Sequence, residues 1–117
     1  MKIRNFRDLQ VWRLGKALAM DIYKLTRFFP PEEIYGLISQ MRRAAVSIPS
    51  NISEGFNRFH NKEYRRFLYI ALGSCAELET QLEIAYELEY FKVEERDKIL
   101  EHIDHETRML RNLIKKL

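Results

Sequence analysis

Cysteine, long apolar runs and glycine-rich loops are scarce in this sequence, and each shortage excludes a class of protein. The single cysteine, Cys75, excludes an internal disulfide framework and a cysteine-rich zinc site, and it suits a reducing compartment. No apolar run approaches the roughly 20 residues that span a bilayer, and the first residues lack the apolar core of a signal peptide. The 4 glycines form no phosphate-binding loop. We therefore expect a cytoplasmic protein, with Cys75 buried as a small apolar residue.

Side chains suited to catalysis are too scattered to predict an enzyme. Ser47, Ser50 and the 3 histidines lie on different segments, without the linked nucleophile, base and orienting group of a hydrolase. His102 and Glu106 have the i,i+4 spacing that can share a metal, but an exposed charged helix face is the commoner arrangement. We expect no catalytic residue, no metal site and no cofactor.

Apolar residues return at helical spacing in several segments, and no segment alternates with the period of a strand. Asp8 and Asn61 are the predicted N-caps of the first and third helices. Pro31, Glu32 and Glu33 mark the approach to the second. The predicted helices span about residues 8–28, 36–56, 61–88 and 93–117. Their short connections predict an all-α, antiparallel up-down-up-down four-helix bundle in one domain.

The same spacing predicts which face of each helix is buried. Helix two is expected to bury Leu37, Met41, Ala44, Ile48, Ile52 and Gly55. Helix three is expected to bury Tyr64, Phe67, Leu68, Ala71, Cys75, Leu78, Leu82, Ala85 and Leu88. Helix four is expected to bury Val93, Leu100, Ile103, Thr107, Leu110, Ile114 and Leu117.

Pro49 lies inside the predicted second helix. A proline there removes the hydrogen bond to the carbonyl of Ala45 and costs about 3 kcal/mol. We predict a bend at Pro49, with the freed backbone groups satisfied by the side chains of Ser47, Ser50 and Asn51. The alternative is that the bend exposes backbone groups to a ligand or a partner chain.

Beside its apolar face, helix two carries a stripe of polar residues: Arg43, Ser47, Ser50, Asn51, Glu54 and Arg58. Helix three carries a comparable line of small or polar residues: Gly73, Glu77, Thr80 and Gln81. The two lines can meet within one subunit or between two. We therefore predict a structural or intersubunit role for Arg43, Ser47, Pro49, Asn51, Glu54, Glu77 and Glu79, with Arg43 pairing with Glu77 or Glu79.

Charge is distributed unevenly along the chain, although the net charge is only +3. In the predicted bundle one end, the basic pole, collects Lys2, Arg4, Arg7, Arg58, Lys62, Arg65, Arg66, Arg111, Lys115 and Lys116. The opposite end, the acidic pole, collects Glu32, Glu33, Glu87, Glu89, Glu94 and Glu95. Basic groups with aromatic residues nearby can bind phosphates and stack on unpaired bases. Solvated helix ends, or attraction between opposite poles of two molecules, explain the pattern equally.

Long stretches of the chain resemble a known bacterial family. They are FRDLQVW at 6–12, FPPEEIYGL at 29–37, QMRRAAVSIPSNISEGFNR at 40–58 and GSCAELET at 73–80. Together they are similar to the four-helix-bundle proteins encoded in intervening sequences of 23S ribosomal RNA genes. The resemblance implies a cytoplasmic homopentamer without known enzymatic activity. The family is also similar to the accessory variability determinant protein of diversity-generating retroelements, a pentamer that binds nucleic acid and a reverse transcriptase.

Two hypotheses follow from the residues and the resemblance. The first is a non-enzymatic homo-oligomer that contacts RNA or DNA through the basic pole, with phosphate contacts from Arg58, Lys62, Arg65, Arg66, Lys115 and Lys116. The second is an oligomeric scaffold that recruits protein and does not bind nucleic acid. Neither follows from the fold alone, because one fold hosts many functions.

Overall fold

The protein, described over residues 3–117 by a computed structural model, is built from four α-helices and two short 3-10 turns, with no strand in that range. The helices are α1 (Gln10–Thr26), α2 (Leu37–Phe56), α3 (Asn61–Glu87) and α4 (Val93–Lys115), and the 3-10 turns are Phe6–Asp8 and Pro31–Glu33. The predicted helical bundle is therefore confirmed. Lys2, which we assigned to the basic pole, lies outside the described residues.

The first helix is shorter at both ends than predicted. Asp8 closes the first 3-10 turn and Leu9 is the N-cap of α1, so the assignment of Asp8 as N-cap was wrong. The side chain of Asn5 caps that turn instead, because it accepts a hydrogen bond from the backbone N–H of Arg7 at 2.9 Å. α1 ends at Thr26 rather than Phe28.

The starts of the other helices depend on their side chains in different ways. Asn61 is the first residue of α3 and His60 is its N-cap, which corrects the second predicted cap. At the start of α2 the Glu33 carboxylate accepts from the backbone N–H of Leu37 at 3.1 Å. A side-chain oxygen at a helix start satisfies a donor that has no partner within the helix. Gly36 leaves room for this contact, since an added Cβ would clash with the Glu33 carboxylate.

α2 continues through Pro49, which is buried. The polar side chains beside the proline reach other carbonyls than that of Ala45: Asn51 donates to the carbonyl of Ser47 at 2.8 Å. Ser53 donates to the carbonyl of Ser50 at 2.9 Å. The side chains of Ser47 and Asn51, two of the three predicted partners, are thus engaged elsewhere, and the bend itself stays a prediction.

The buried apolar side chains form one continuous core to which all four helices contribute. Every residue predicted on the buried face of α2 is buried, which confirms that face. On α3 the middle of the predicted face is buried, whereas Leu88 is exposed. On α4 the prediction was partly wrong: Val93 is exposed and Thr107 only half-buried. The buried residues of α4 are Ile99, Ile103, Glu106, Leu110 and Ile114.

Polar contacts join the ends of α3 and α4. The Arg65 guanidinium, in the second turn of α3, donates to the main-chain oxygen of Leu117 at 2.5 Å. At the other end Arg96 donates two hydrogen bonds to the Glu83 carboxylate, at 2.6 and 2.8 Å. Contacts of this kind are expected between antiparallel neighbours, and the full up-down-up-down order stays a prediction. Within residues 3–117, none of the helices is both long and apolar enough to span a membrane.

Candidate nucleic-acid interface

The loop between α2 and α3, residues 57–60, belongs to the basic pole. α2 ends in a turn in which the backbone N–H of Arg58 donates to the carbonyl of Gly55 at 3.0 Å. α3 then begins with a hydrogen bond of 3.0 Å from Tyr64 to the carbonyl of His60. Between these anchors Phe59 is 100% exposed. A large apolar ring that touches no other part of the chain is available to a partner.

Two of the aromatic side chains expected near the basic pole, Phe6 and Tyr64, are packed against other rings. Phe6 meets Trp12 edge-on, with ring centroids 5.1 Å apart. Tyr64 meets Phe56 edge-on at 6.1 Å. The other two, Phe59 and His60, are exposed in the described structure, and Phe59 is the larger apolar ring.

Arg58 and Arg65 are positioned by contacts within the chain. Arg58 lies over the ring of Phe67, 4.8 Å from its centroid, and pairs with Glu54 at 3.3 Å. Arg65 is half-buried and holds the oxygen of Leu117. Both side chains are therefore partly committed to holding α2, α3 and α4 together, although they lie where the sequence predicted.

The other cations predicted to contact phosphate are exposed. Arg66 has a side chain that is 75% exposed, and its distance to Glu63, 3.9 Å, is long for an ion pair. Lys62, Lys115 and Lys116 are exposed, and none forms a salt bridge with a carboxylate of residues 3–117. An exposed ion pair is worth only about 0–1 kcal/mol, so these groups can exchange partners readily.

The polar stripe of α2 meets α3 within one chain. The hydroxyl oxygens of Ser47 and Ser74 are 2.9 Å apart, and Asn51 donates to the Ser47 hydroxyl at 2.9 Å. Ser47 and Asn51 therefore contribute to the contact between α2 and α3, and the predicted structural or intersubunit role of the whole stripe stays a prediction. Ser74, which the sequence pattern did not single out, is their partner on α3.

Arg43 and Glu77 remain open toward solvent. They line the same shallow groove of about 320 Å³ between α2 and α3. No salt bridge links Arg43 to Glu77 or Glu79 within the described chain. The predicted pairing of Arg43 with Glu77 or Glu79 across subunits stays a prediction.

The prediction that Glu106 lies on an exposed face of α4 was wrong. We assigned it to an exposed charged face with His102, but Glu106 is 1% exposed, whereas His102 is exposed and contacts Asp21 at 3.0 Å. The two side chains point to different surroundings because α4 buries Ile103, Glu106 and Leu110, whereas His102 lies on its exposed side. The spacing of the apolar residues could have predicted the burial of Glu106, since it lies three residues after Ile103 and four before Leu110.

The carboxyl group of Glu106 lies against Gly15 of α1. A Cβ added to Gly15 would be 2.7 Å from Oε2, so the glycine leaves the space that the carboxyl fills. Neither oxygen has a hydrogen-bond partner among the described residues. Burial raises the pKa of Glu106 to about 8, which keeps the group protonated at neutral pH. Over residues 3–117 no group of three or more His, Cys, Asp or Glu side chains is placed to share a metal ion.

Cys75 is buried on the core side of α3, as predicted. Burial raises the pKa of its thiol to about 12. Because the thiolate is the reactive form of cysteine, this side chain is inert at neutral pH.

Comparison with known proteins agrees with the fold and the motifs. Residues 7–112 match the family described as 23S rRNA-intervening sequence protein. The chain belongs to this family. A crystal structure from the S23 ribosomal protein family of Bacteroides thetaiotaomicron, described as a protein with unknown function, is similar to this family member with a TM-score of 0.81 and 25% identity. The similarity covers 90% of this chain and 98% of that one. No curated protein sequence matches the chain.

Proposed function

We propose that this family member is a homo-oligomeric protein that binds RNA or DNA through its basic pole. The observation that carries the proposal is Phe59, fully exposed in a loop whose neighbours are cationic. An aromatic ring beside lysine and arginine side chains is the arrangement that proteins use to stack a base while holding the phosphates next to it.

The cations divide into two groups by their contacts. Lys62, Arg66, Lys115 and Lys116 are exposed, and we assign them the phosphate contacts. Arg58 and Arg65 are held by Phe67 and by Leu117, and we assign them to positioning the loop and the start of α3. Phosphate contacts fix the position of a nucleic acid without reading its sequence, so the proposed binding is largely independent of sequence.

A salt titration tests the proposal directly. Fluorescence anisotropy with a labelled RNA hairpin, a DNA duplex and a single strand should show affinity that falls steeply with salt concentration. The triple variant Lys62→Glu, Arg66→Glu, Lys116→Glu should bind about tenfold more weakly at low salt. Its salt slope on the duplex should also be smaller, by about 0.9 for each phosphate that the variant no longer neutralises.

A matched control separates local contacts from net charge. Lys24→Glu, Arg27→Glu, Lys98→Glu changes the net charge equally, with exposed residues of α1, its end and α4. This control should lose much less affinity than the basic-pole variant. Equal losses in the two variants, or no binding of any probe at low salt, would show that the basic pole is not a nucleic-acid surface.

Phe59→Ala tests the stacking contact separately. Removing one base–aromatic stack costs about 1–3 kcal/mol, and only a probe with unpaired bases should be affected. Weaker binding of the single strand with unchanged binding of the duplex is the expected pattern. Equal effects on both probes would remove Phe59 from the proposed site.

The outer face of α3 supports the homo-oligomeric part of the proposal. Ile70, Ile84 and Leu88 are 45%, 47% and 50% exposed at positions that share one side of the helix. Gly73 lies among them, and no described atom is within 4 Å of a Cβ added there. Glu77 lies on the same side of the helix, so the face is mixed, but exposed apolar side chains around a glycine allow a second helix to approach closely. This also fits the alternative function, a scaffold that only assembles and recruits protein.

Substitution of Gly73 distinguishes an intersubunit face from a free surface. Gly73→Arg should fold, because the space around it is open in one chain, but should dissociate the oligomer in native mass spectrometry. Ala17→Arg, an exposed position of α1, is the control and should leave assembly unchanged. A Gly73→Arg protein with the mass of the unmodified assembly would place the subunit contact elsewhere. A monomeric unmodified protein would exclude homo-oligomerisation.

A further inference from the structure

The end of the bundle opposite the basic pole carries an open cleft of about 960 Å³, here called the acidic cleft. It lies where α1 and α3 end and α4 begins. Its apolar walls are Leu25, Phe28, Tyr86, Tyr90 and Phe91. The volume is at the upper end of the range of ligand-binding pockets.

Contacts within the chain hold the aromatic walls in place. Buried Phe29 stacks on Phe91, with centroids 6.0 Å apart and planes 11° from parallel. The Tyr90 hydroxyl donates to the Glu33 carboxylate at 2.7 Å. Arg96 lies over the ring of Tyr86, 5.2 Å from its centroid. Fixed walls reduce the conformational entropy that binding would otherwise cost.

Phe28 forms an exposed apolar edge of the acidic cleft. Its side chain is 81% exposed. Beyond it the surface continues into a second hollow of about 210 Å³ between α1 and α4, which shares Leu25, Phe28 and Glu95 with the cleft. The combined surface is therefore elongated rather than a single closed chamber, and this shape fits an extended chain better than a compact small molecule. The second hollow is lined by Lys24 and Lys98 beside Asp21, so it suits apolar side chains of such a chain rather than its cations.

The charges around the acidic cleft indicate which kind of peptide segment it can bind. Four carboxylates line it, from Glu87, Glu89, Glu94 and Glu95, against the single ammonium of Lys92. Glu95 accepts from the backbone N–H of Lys92 at 3.2 Å and so caps α4. The other three form no salt bridge with a cation of the described chain.

We propose that the acidic cleft binds a segment of a partner protein that carries arginine or lysine side chains between apolar ones. Aromatic faces attract cations, and carboxylates at the rim add to the attraction. The protein already uses this arrangement internally: Arg42 and Arg58 lie 4.5 and 4.8 Å from the ring centroids of Tyr23 and Phe67. The proposal is independent of nucleic-acid binding, because the two surfaces lie at opposite ends.

The probe is a fluorescein-labelled peptide of alternating arginine and leucine, followed by fluorescence anisotropy. One control peptide replaces arginine with citrulline, which keeps the shape and removes the charge. A second control is spermine, added as a competitor. The arginine peptide should bind at least about fivefold more tightly than the citrulline peptide.

Variants of the rim and wall locate the peptide. The triple variant Glu87→Gln, Glu89→Asn, Glu94→Gln should weaken binding about tenfold, and asparagine suits position 89 because Glu89 has a φ of 64°. Phe28→Ala should weaken it about two- to fivefold. Glu32→Gln, at the same pole but outside the cleft, and the triple basic-pole variant should bind the peptide unchanged.

Four results would overturn the proposal. They are equal binding of the citrulline peptide, unchanged affinity in both the rim variant and Phe28→Ala, and displacement by spermine at concentrations similar to the peptide. The fourth is end-to-end self-association in light scattering that the rim variant abolishes, because a second copy would then be the occupant. Circular dichroism of each variant checks that the helices are intact.

Discussion

The contact between α2 and α3 and the contact between α1 and α4 differ in which atoms lie beside a glycine. At the first, a Cβ added to Gly55 would be 2.8 Å from Cβ of Phe67 and 3.1 Å from the carbonyl oxygen of Tyr64. The neighbours are thus backbone and the base of a side chain. At the second, Gly15 faces the end of a long polar side chain, the carboxyl of Glu106.

This difference separates two sources of stability. The α2–α3 contact depends on close approach of the two helices. The titratable side chain next to Gly55 is Tyr64, whose pKa burial raises above its ordinary value of 10.0, so the strength of this contact should not depend on pH between 5 and 9. The α1–α4 contact contains the buried carboxyl group of Glu106, whose pKa burial raises to about 8. We therefore expect the pH dependence of folding between pH 5 and 9 to arise mainly between α1 and α4.

The largest effect at pH 5 is expected from Gly55→Ala. The added methyl group must displace backbone atoms of α3, and overpacking of this kind costs about 1–3 kcal/mol, which outweighs the gain of about 0.5–1 kcal/mol from replacing a helical glycine. Urea unfolding should show a net loss of about 1–2 kcal/mol at any pH between 5 and 9.

Gly73→Ala is the matched control for that substitution. It replaces a glycine in the middle of a helix where nothing in the described structure lies within 4 Å of the added Cβ. It should therefore be neutral or stabilising for a single chain, measured at protein concentrations low enough to dissociate the proposed oligomer. If Gly55→Ala were as stable as Gly73→Ala, α2 and α3 would be able to separate without loss, and the contrast between the two contacts would disappear.

At pH 5 a smaller effect is expected from Glu106→Gln, and this effect grows as pH rises. The folded-state pKa of Glu106, about 8, is above its ordinary value of 4.5. The folded protein therefore holds the proton more tightly, so the contribution of Glu106 is full below pH 4.5 and is lost as pH rises to about 8. Glutamine stays neutral, so the variant should match the unmodified protein at pH 5 within about 1 kcal/mol and exceed its stability at pH 9 by roughly 3–5 kcal/mol.

A control variant and the raised pKa of Cys75 help to attribute the pH dependence to Glu106. Glu101→Gln, an exposed position of the same helix, should leave the pH profile unchanged. Cys75 remains a neutral thiol at pH 9, because burial raises its pKa to about 12. A Glu106→Gln protein that loses stability between pH 5 and 9 as steeply as the unmodified chain would show that another group is responsible.

The two contacts also differ in how well the sequence predicted them. The apolar face of α2, including Gly55, was predicted correctly, because spacing of three and four residues is a strong signal for burial. On α4 the same reasoning chose Thr107 and passed over Glu106, because a glutamate is normally exposed. Only the shape of α1, which has no side chain at Gly15, makes room for the carboxyl group, and this is a property of the packed structure.

The basic pole and the acidic cleft were also only partly predictable from the sequence. The cations of the basic pole could be found from the order of the helices and their charges. Which of them are engaged could not, since Arg65 lies 52 positions from Leu117 along the chain. The acidic cleft was visible in the sequence only as a group of glutamates. Its aromatic walls depend on the meeting of Phe29 with Phe91 and Tyr90, from segments far apart in the chain.

The smallest effect is expected from Asp21→Asn, at the exposed edge of the α1–α4 contact. Asp21 is 3.0 Å from Nδ1 of His102, and the histidine side chain is 45% exposed. Exposed pairs contribute about 0–1 kcal/mol. The variant should thus lose at most about 0.5 kcal/mol in urea unfolding. Because the two changes act independently, the double variant of Asp21→Asn and Glu106→Gln should follow the pH profile of Glu106→Gln alone within about 0.5 kcal/mol. A loss well above about 1 kcal/mol in Asp21→Asn would mean that the exposed edge holds α1 and α4 together as strongly as their buried contact does.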